Sequence, residues 1–470
     1  MTCNTILFVS VLTFYFISVN FYCSIRQSTN FNNQTLLPFI HPTKMYYYYL
    51  IEWYYLISFN QTQILKNTTT LVNKEFAKGI ILQNNNIHCD SLDFTINKTP
   101  KIKISNTSLY SISPVCNNQI DAVWLWVNGS EPKWRDKFKR YKFRYEPNRF
   151  RDFNSIKYSM RSVFTYLPYI KNYFIITDNQ IPDFIDAPIG QNSFQIIRHK
   201  ENHNNKFYTQ MDVLEEKLFK KNNEKNHNFN SKYETYTLEI VSHNQLFDAK
   251  ELPNFNSDAI ETVIYRIPRL SECFVYLNDD FIFTNYTPPE YFIKENRLQI
   301  YTENNLAPDE KWISENKWHK SIASANQKLN FYFNLSENTK RPYISHSAYF
   351  FRKSLLVKLE ESFKETFNHQ RSNRIRSCDA VNYPFFAEHY SYLLGVANYV
   401  HVDGWTFFWN LREDHTKNVE MKNRILKMKP YCICVNDDFE GSIGVSREIN
   451  YLLDWYRLLF PDPMIFERGV

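Results

Sequence analysis

Residues 122–129 read AVWLWVNG: six apolar positions that run straight into Asn128 and Gly129. A run this short and rich in Val and Trp is a buried strand, and the Asn-Gly that ends it is turn chemistry. Three further runs have the same form. YFIIT (173–177) leads into Asp178-Asn179, LEIVS (238–242) into His243-Asn244, and FVYL (274–277) into Asn278-Asp279-Asp280. Any one of these endings is an ordinary turn. Four in one span point to a site, because ligands of open α/β sheets bind beyond the carboxyl ends of the strands.

Between the strands the spacing becomes helical. Ile156, Met160, Val163, Phe164 and Leu167 fall on one face of a helix over 155–167, with Asp152 or Asn154 as its N-cap. Alternation of strands with helices predicts a Rossmann-like α/β domain with a largely parallel sheet and helices on both faces. The Asn/Lys-rich segment at about 200–232 reads as a surface insertion.

Upstream the character differs. Thr5 to Cys23 carries no charge over 19 residues, close to the ~20 that span a bilayer. It reads as a signal-anchor or a cleaved signal peptide within 1–24. Residues 25–115 lack a sustained period, are rich in Asn and Thr, and hold sequons at Asn33, Asn60, Asn67, Asn97 and Asn106, so they read as a lumenal stem. Further sequons stand at Asn128, Asn285 and Asn334. The aromatic run Met45–Phe59 contains Glu52 and is short for a span, which suggests a packed or interfacial element. The expected location is the secretory pathway, as a single-pass type II membrane protein where the segment is an uncleaved anchor. There Cys89, Cys116, Cys273, Cys378, Cys432 and Cys434 can pair in 15 ways; for Cys432 and Cys434 a disulfide or buried thiols are expected rather than zinc.

Composition narrows the function. Hydrophobic residues at 43% against 22% charged exclude disorder throughout, and a net charge of +6 spread over 470 residues gives no basic stripe for nucleic acid. No G-x-G-x-x-G, P-loop, G-x-S-x-G or H-E-x-x-H occurs. What remains is the acidic pair Asp279-Asp280 on a strand end, suited to a hard divalent cation and a diphosphate-sugar, and a second at Asp437-Asp438.

In order along the chain, the motifs are Ile120-Asp121 through Trp126, Asn128 and Gly129; Arg151-Asp152 with Lys157-Tyr158-Ser159-x-Arg161-Ser162; Thr177-Asp178-Asn179-Gln180; His243; Phe255-Asn256-Ser257-x-Ala259-Ile260-Glu261; Arg266-Ile267-Pro268; and Asn278-Asp279-Asp280. Then come His346, Arg376-Ser-Cys-Asp379, Cys434-Val-Asn436-Asp437-Asp438 and the closing Phe460 to Glu467. This set resembles the Stealth family of hexose-1-phosphate transferases, which includes bacterial capsule polymerases and an animal lysosomal-enzyme phosphotransferase. The similarity covers about 119–147, 150–297, 344–395 and 424–470 of a catalytic domain at 116–470. One departure is Tyr349, where the animal enzyme has a second histidine.

The resemblance implies transfer of GlcNAc-1-phosphate or a related hexose-1-phosphate from a UDP-sugar to a glycan hydroxyl, with mannose of a high-mannose glycoprotein as the acceptor and UMP released. It implies Mg²⁺ or Mn²⁺ at Asp279, Asp280 and Asp438. His346 is the candidate base, with Asp280, Arg376 and Asp379 beside it in the catalytic set. Asp121, Trp126, Asn128, Gly129, Asp152, Asp178, Asn179, His243, Arg266 and Arg341 are the candidate substrate-binding residues. The resemblance also implies the nucleotide-sugar transferase type of this fold, and the Golgi membrane in particular as the location. A homodimer or an accessory subunit is a further expectation. Two alternatives stay open: a metal-dependent glycosyltransferase releasing UDP, and a silent glycan-binding protein.

Overall fold

The computed structural model describes residues 112–186, 193–199, 207–208, 233–308, 316–402, 404–439 and 445–468. The N-terminal apolar segment, the Met45–Phe59 run, nearly all of the stem and all but two residues of the 200–232 insertion lie outside them. Among the described residues no helix is long and apolar enough to cross a membrane.

In chain order the strands are β1 Ile120–Leu125, β2 Asn172–Thr177, β3 Ser193–His199, β4 Phe207–Tyr208, β5 Tyr233–Ser242, β6 Cys273–Asn278, β7 Phe281–Phe283, β8 Ile293–Lys294, β9 Arg297–Leu306, β10 Pro342–Ile344, β11 Tyr349–Arg352, β12 Ala397–Val400, β13 Thr406–Leu411 and β14 Cys432–Asp437. The helices are α1 Pro132–Lys139, α2 Ser155–Tyr166, α3 His243–Leu246, α4 Ser257–Glu261, α5 Lys317–Tyr332, α6 Lys353–Ser362, α7 Lys364–Ser372, α8 Tyr383–Leu393, α9 His415–Met428 and α10 Val445–Leu459.

The main sheet has the order β11-β6-β1-β2-β5-β3-β4. Its centre, β6-β1-β2-β5, is parallel: Trp124 lies opposite both Leu277 and Ile175, and Ile176 lies opposite Val241. These central strands are buried over most of their length, which is why their C-terminal halves read as predominantly apolar runs. The flanks correct the largely parallel expectation. β11 runs antiparallel to β6, β3 to β5 and β4 to β3, so the seven-stranded sheet is mixed. Antiparallel neighbours need no helical crossover, and so they leave no strand–helix alternation in the sequence. Two smaller sheets, β13-β14-β7 and β10-β9-β12 with β8 paired to β9, were not foreseen.

α2 explains the Lys157 to Ser162 motif by packing. Its face buries Ile156, Met160 and Val163 as the periodicity predicts. Ser159 Oγ accepts from Trp124 Nε1 at 2.8 Å on one side and donates to the Phe281 carbonyl on the other, while Ser162 Oγ accepts from Phe283 N at 3.0 Å. Two small hydroxyls thus weld β1 to β7. The cap differs from expectation: Asn154 sits in the left-handed region at φ 63° with no capping bond, and Asp152 Oδ1 instead accepts from the Asn154 amide at 2.8 Å. Cys116 and Cys273 form a disulfide that ties the residues before β1 to the first residue of β6; Cys432 and Cys434 are buried free thiols and Cys378 is an exposed one.

Candidate active site

Because β5, β2, β1 and β6 are parallel neighbours ~4.8 Å apart, their carboxyl ends lie within about 15 Å along one edge. Strand order reverses between β1 and β6, so Trp126 to Gly129 and Asn278 to Asp280 end the two strands that flank the switch point, where open α/β sheets bind ligands. Gly129 is dictated there. Its amide donates to the Phe150 carbonyl at 2.8 Å, and a Cβ would stand 2.6 Å from that oxygen and 2.5 Å from Phe150 Cβ. Gly129→Ala is therefore expected to cost about 1–3 kcal/mol through forced overpacking, measured by chemical denaturation; an unchanged midpoint would show that this loop yields freely.

Asn128 is committed to the same turn. Its Oδ1 accepts from Ser130 N at 2.9 Å and from Ser130 Oγ at 2.6 Å, while Gln180 brackets its backbone with bonds of 3.0 and 2.9 Å. Gln180 thereby locks the β1 tip to the β2 tip. Asp178 holds Lys137 through both oxygens at 2.8 and 2.7 Å, and Asn179 Oδ1 accepts from Ser242 Oγ at 2.7 Å. His243 is buried beside them, its pKa pressed down to about 4 by burial, and its Nδ1 has no partner. At the far tip Asp279 and Asp280 turn the chain from β6 into β7, the joint between the main sheet and the β14 sheet.

The acid pair is electrostatically tense. Burial raises the pKa of Asp279 well above the carboxylate range, and the charges of Asp280 and Asp152 push it further; burial raises Asp280 and Asp152 as well. Ser155 Oγ donates to Asp279 at 3.4 Å, and the Cys434 thiol donates to Asp280 Oδ2 at 3.2 Å. Asp280 Oδ1 is buried with no hydrogen-bond partner. Repelling carboxylates with a bare buried oxygen are a donor set that a hard divalent cation fits, since one or two carboxylates plus substrate phosphates suffice. Among the described residues no group of three His, Cys, Asp or Glu side chains makes a complete protein cage.

His346 lies between β10 and β11. Phe281 and Phe408 pack edge-on to its ring, and its Nδ1 is 3.2 Å from Tyr349 Oη. Burial and then the positive charge of Arg376 lower its pKa to about 4, so it is a neutral imidazole at physiological pH. Arg376 donates to Ser257 Oγ at 3.1 and 2.6 Å and lies 3.5 Å from Asp258. Arg376 is thus close enough for its charge to act on the His346 ring.

Other candidates lie elsewhere. Asp121 is on the second residue of β1, at the opposite edge of the sheet, where it accepts from Gln119, Asn172 and the Ser271 amide. It ties strand starts together. Arg266 donates to the Leu246 carbonyl at 2.9 Å. The Arg341 guanidinium is buried against the side-chain oxygens of Asn326 and Asn330 on α5. Asp379 is exposed and paired with His369, and Asp438 is paired with Arg412 at 3.7 Å.

Sequence reasoning gave no role to Glu261 or to Cys434 as an Asp280 donor. Tyr276 Oη stands 2.8 Å from Glu261 Oε1 and 3.0 Å from Asn278 Oδ1, linking α4 to the strand tip beside the acid pair. Burial, and next the charge of Asp258, raise Glu261 to about 8. The Cys alternation in 432–435 was the one signal available, since it sets both thiols on one strand face.

With this geometry in place, residues 118–146 match Stealth protein CR1, conserved region 1; residues 149–220 and 217–301 match CR2, conserved region 2; and residues 345–392 match CR3, conserved region 3. The chain carries three Stealth conserved regions. They hold the four parallel strand tips, the acid pair, His346 and Arg376. Similar proteins are Capsular polysaccharide phosphotransferase fcs1 of Haemophilus influenzae, 28% identical over 333 residues, 68% of this chain and 78% of that protein; a capsular polysaccharide phosphotransferase of Actinobacillus suis, 28% over 190 residues, 38% and 39%; and one of Neisseria meningitidis serogroup B, 24% over 361 residues, 71% and 81%. The Stealth span stops short of Cys434 and Glu467, which the fold nonetheless brings against it.

Proposed function

We propose that this Stealth chain transfers a sugar 1-phosphate from a nucleotide diphosphate sugar to a glycan hydroxyl, and more finely that it moves GlcNAc-1-phosphate from UDP-GlcNAc to mannose of a glycoprotein. The observation that carries the reading is the half-buried Asp279-Asp280 pair at the switch point, with the bare buried Oδ1 of Asp280, together with His346 and Arg376. That relatives of this chain are capsular polysaccharide phosphotransferases supports sugar-phosphate transfer. In the reaction the acceptor oxygen bonds to the β-phosphorus, the bond from that phosphorus to the bridging oxygen breaks, and UMP leaves. His346, neutral above pH 4, takes the hydroxyl proton. Arg376 offers guanidinium N–H groups to the transferring phosphate. Asp279 and Asp280 would hold Mg²⁺ or Mn²⁺, whose chemistry is neutralisation of diphosphate charge. A Golgi or other secretory setting, with the apolar N-terminal segment as its membrane tether, belongs to the same proposal.

The test uses UDP-GlcNAc labelled in the β-phosphate, α-methylmannoside and Mg²⁺. Label in the mannoside with UMP released supports the proposal; label kept in UDP with sugar transferred favours a glycosyltransferase. The pH dependence has a definite sign. A limb set by His346 rises as pH climbs through about 4, leaving no histidine limb at 6–7. An acid limb near 6.5 that disappeared in His346→Gln would count against that assignment.

A further inference from the structure

The hydrogen bond between His346 Nδ1 and Tyr349 Oη raises a question of direction. For Nε2 to take a proton, Nδ1 must carry one and donate it to the Tyr349 oxygen. The Tyr349 hydroxyl proton must then find another acceptor. Without one, it would donate to Nδ1 and fix the hydrogen on Nε2, which disables that nitrogen as a base.

Tyr349 lines a small cavity of about 10 Å³ together with Gln299, Ser345, Ser347 and Glu388, about the room one water needs. Glu388, on α8, is 7% exposed. Burial raises its pKa well above the carboxylate range, and the Tyr349 hydroxyl is raised first by its own burial and next by Glu388. No described residue makes a direct hydrogen bond to its carboxyl. The cavity is polar enough to hold a water and opens on both the tyrosine and the acid.

We propose that Glu388 is a positioning residue: through one water in this cavity it provides the acceptor for the Tyr349 hydroxyl, and thereby sets His346 in the Nδ1–H tautomer with Nε2 bare. Ionised or protonated, the carboxyl keeps an acceptor oxygen, so the relay operates in either state. The inference rests on His346 acting as the base, yet its readout does not require turnover.

The experiment is long-range ¹H–¹⁵N spectroscopy of the full chain labelled at histidine, with His346 assigned by loss of its signals in His346→Gln. Wild type is expected to show Nδ1–H. Glu388→Leu and Tyr349→Phe should lose that preference, and their kcat should fall roughly 10- to 100-fold with the donor KM within about twofold. Glu388→Gln keeps a carbonyl acceptor and should retain both tautomer and rate, which also covers the case in which the leucine variant fails to fold. An Nε2–H tautomer in wild type, or Nδ1–H retained in folded Glu388→Leu, overturns the proposal. If the chain proves to transfer sugar rather than phosphate, the tautomer result stands independently.

Discussion

Asp280→Asn will lower phosphotransfer by at least roughly 10²–10³-fold while leaving the chain as stable as wild type or more so. The two halves of that result have one cause. In the folded state Asp280 is half-buried beside Asp279, and desolvation raises the pKa values of both. A carboxylate whose folded pKa exceeds its unfolded value opposes folding at neutral pH, and that opposition fades as pH falls through the folded pKa. Asparagine removes one charge of the repelling pair and retains an oxygen that can accept from the Cys434 thiol. A residue kept for structure would behave in the opposite way, with stability and activity falling together. The cation reading adds a third readout. Millimolar Mg²⁺ or Mn²⁺ should raise the wild-type melting temperature by preferential binding to the folded state and should do little for Asp280→Asn. Equal stabilisation of both proteins would place the ion elsewhere, and full activity in a purified Asp280→Asn would remove the residue from the mechanism.

How much of this was legible in the sequence depends on whether the signal was local. The four strand tips were, because an apolar run and the polar residues after it are contiguous, and parallel pairing then gathers them at one edge. The antiparallel edges and the two small sheets were not, because β7, β10 and β11 are three or four residues long and their pairing partners lie far away in sequence. Asp121 looked like a site residue because it begins the motif. Yet a strand has two ends, and five residue steps of about 3.3 Å each separate Asp121 from Trp126. Arg341 looked like a phosphate clamp by residue type, whereas its burial against Asn326 and Asn330 is a property of how α5 packs. His346 and Arg376 are 30 positions apart in sequence, and only the fold brings the Arg376 charge to bear on the His346 ring. Glu261 stayed without a role because its partner Tyr276 stands fifteen residues on, in another element.

The largest stability effect is expected at Arg161. It lies in the middle of α2, within the Lys157 to Ser162 motif. Its guanidinium grips Glu467 through two parallel bonds of 2.6 Å each and donates a third to the Phe460 carbonyl at 2.6 Å. Lys157 adds a contact of 3.1 Å to the same carboxylate. The C-terminal segment is thus fastened to the helix whose first residue, Ser155, supports Asp279. Burial opposes the Glu467 charge, but the bonds from Arg161 and the Met464 amide prevail and its pKa is lowered. Arg161→Met leaves that carboxylate buried with only Lys157 to balance it, at a cost of about 3–5 kcal/mol. Replacing both partners, Arg161→Met with Glu467→Leu, should recover much of the loss, since an apolar pair carries no desolvation penalty. The pH dependence has a fixed sign. A lowered carboxylate pKa stabilises fully above the unfolded value of about 4.3 and loses its effect as pH falls through the folded one, so the gap between wild type and Arg161→Met must narrow on acidification. Chemical denaturation at pH 7 and at pH 4 measures it. A gap that stayed constant would assign the cost of the substitution to lost packing of the arginine stem rather than to the ion pair.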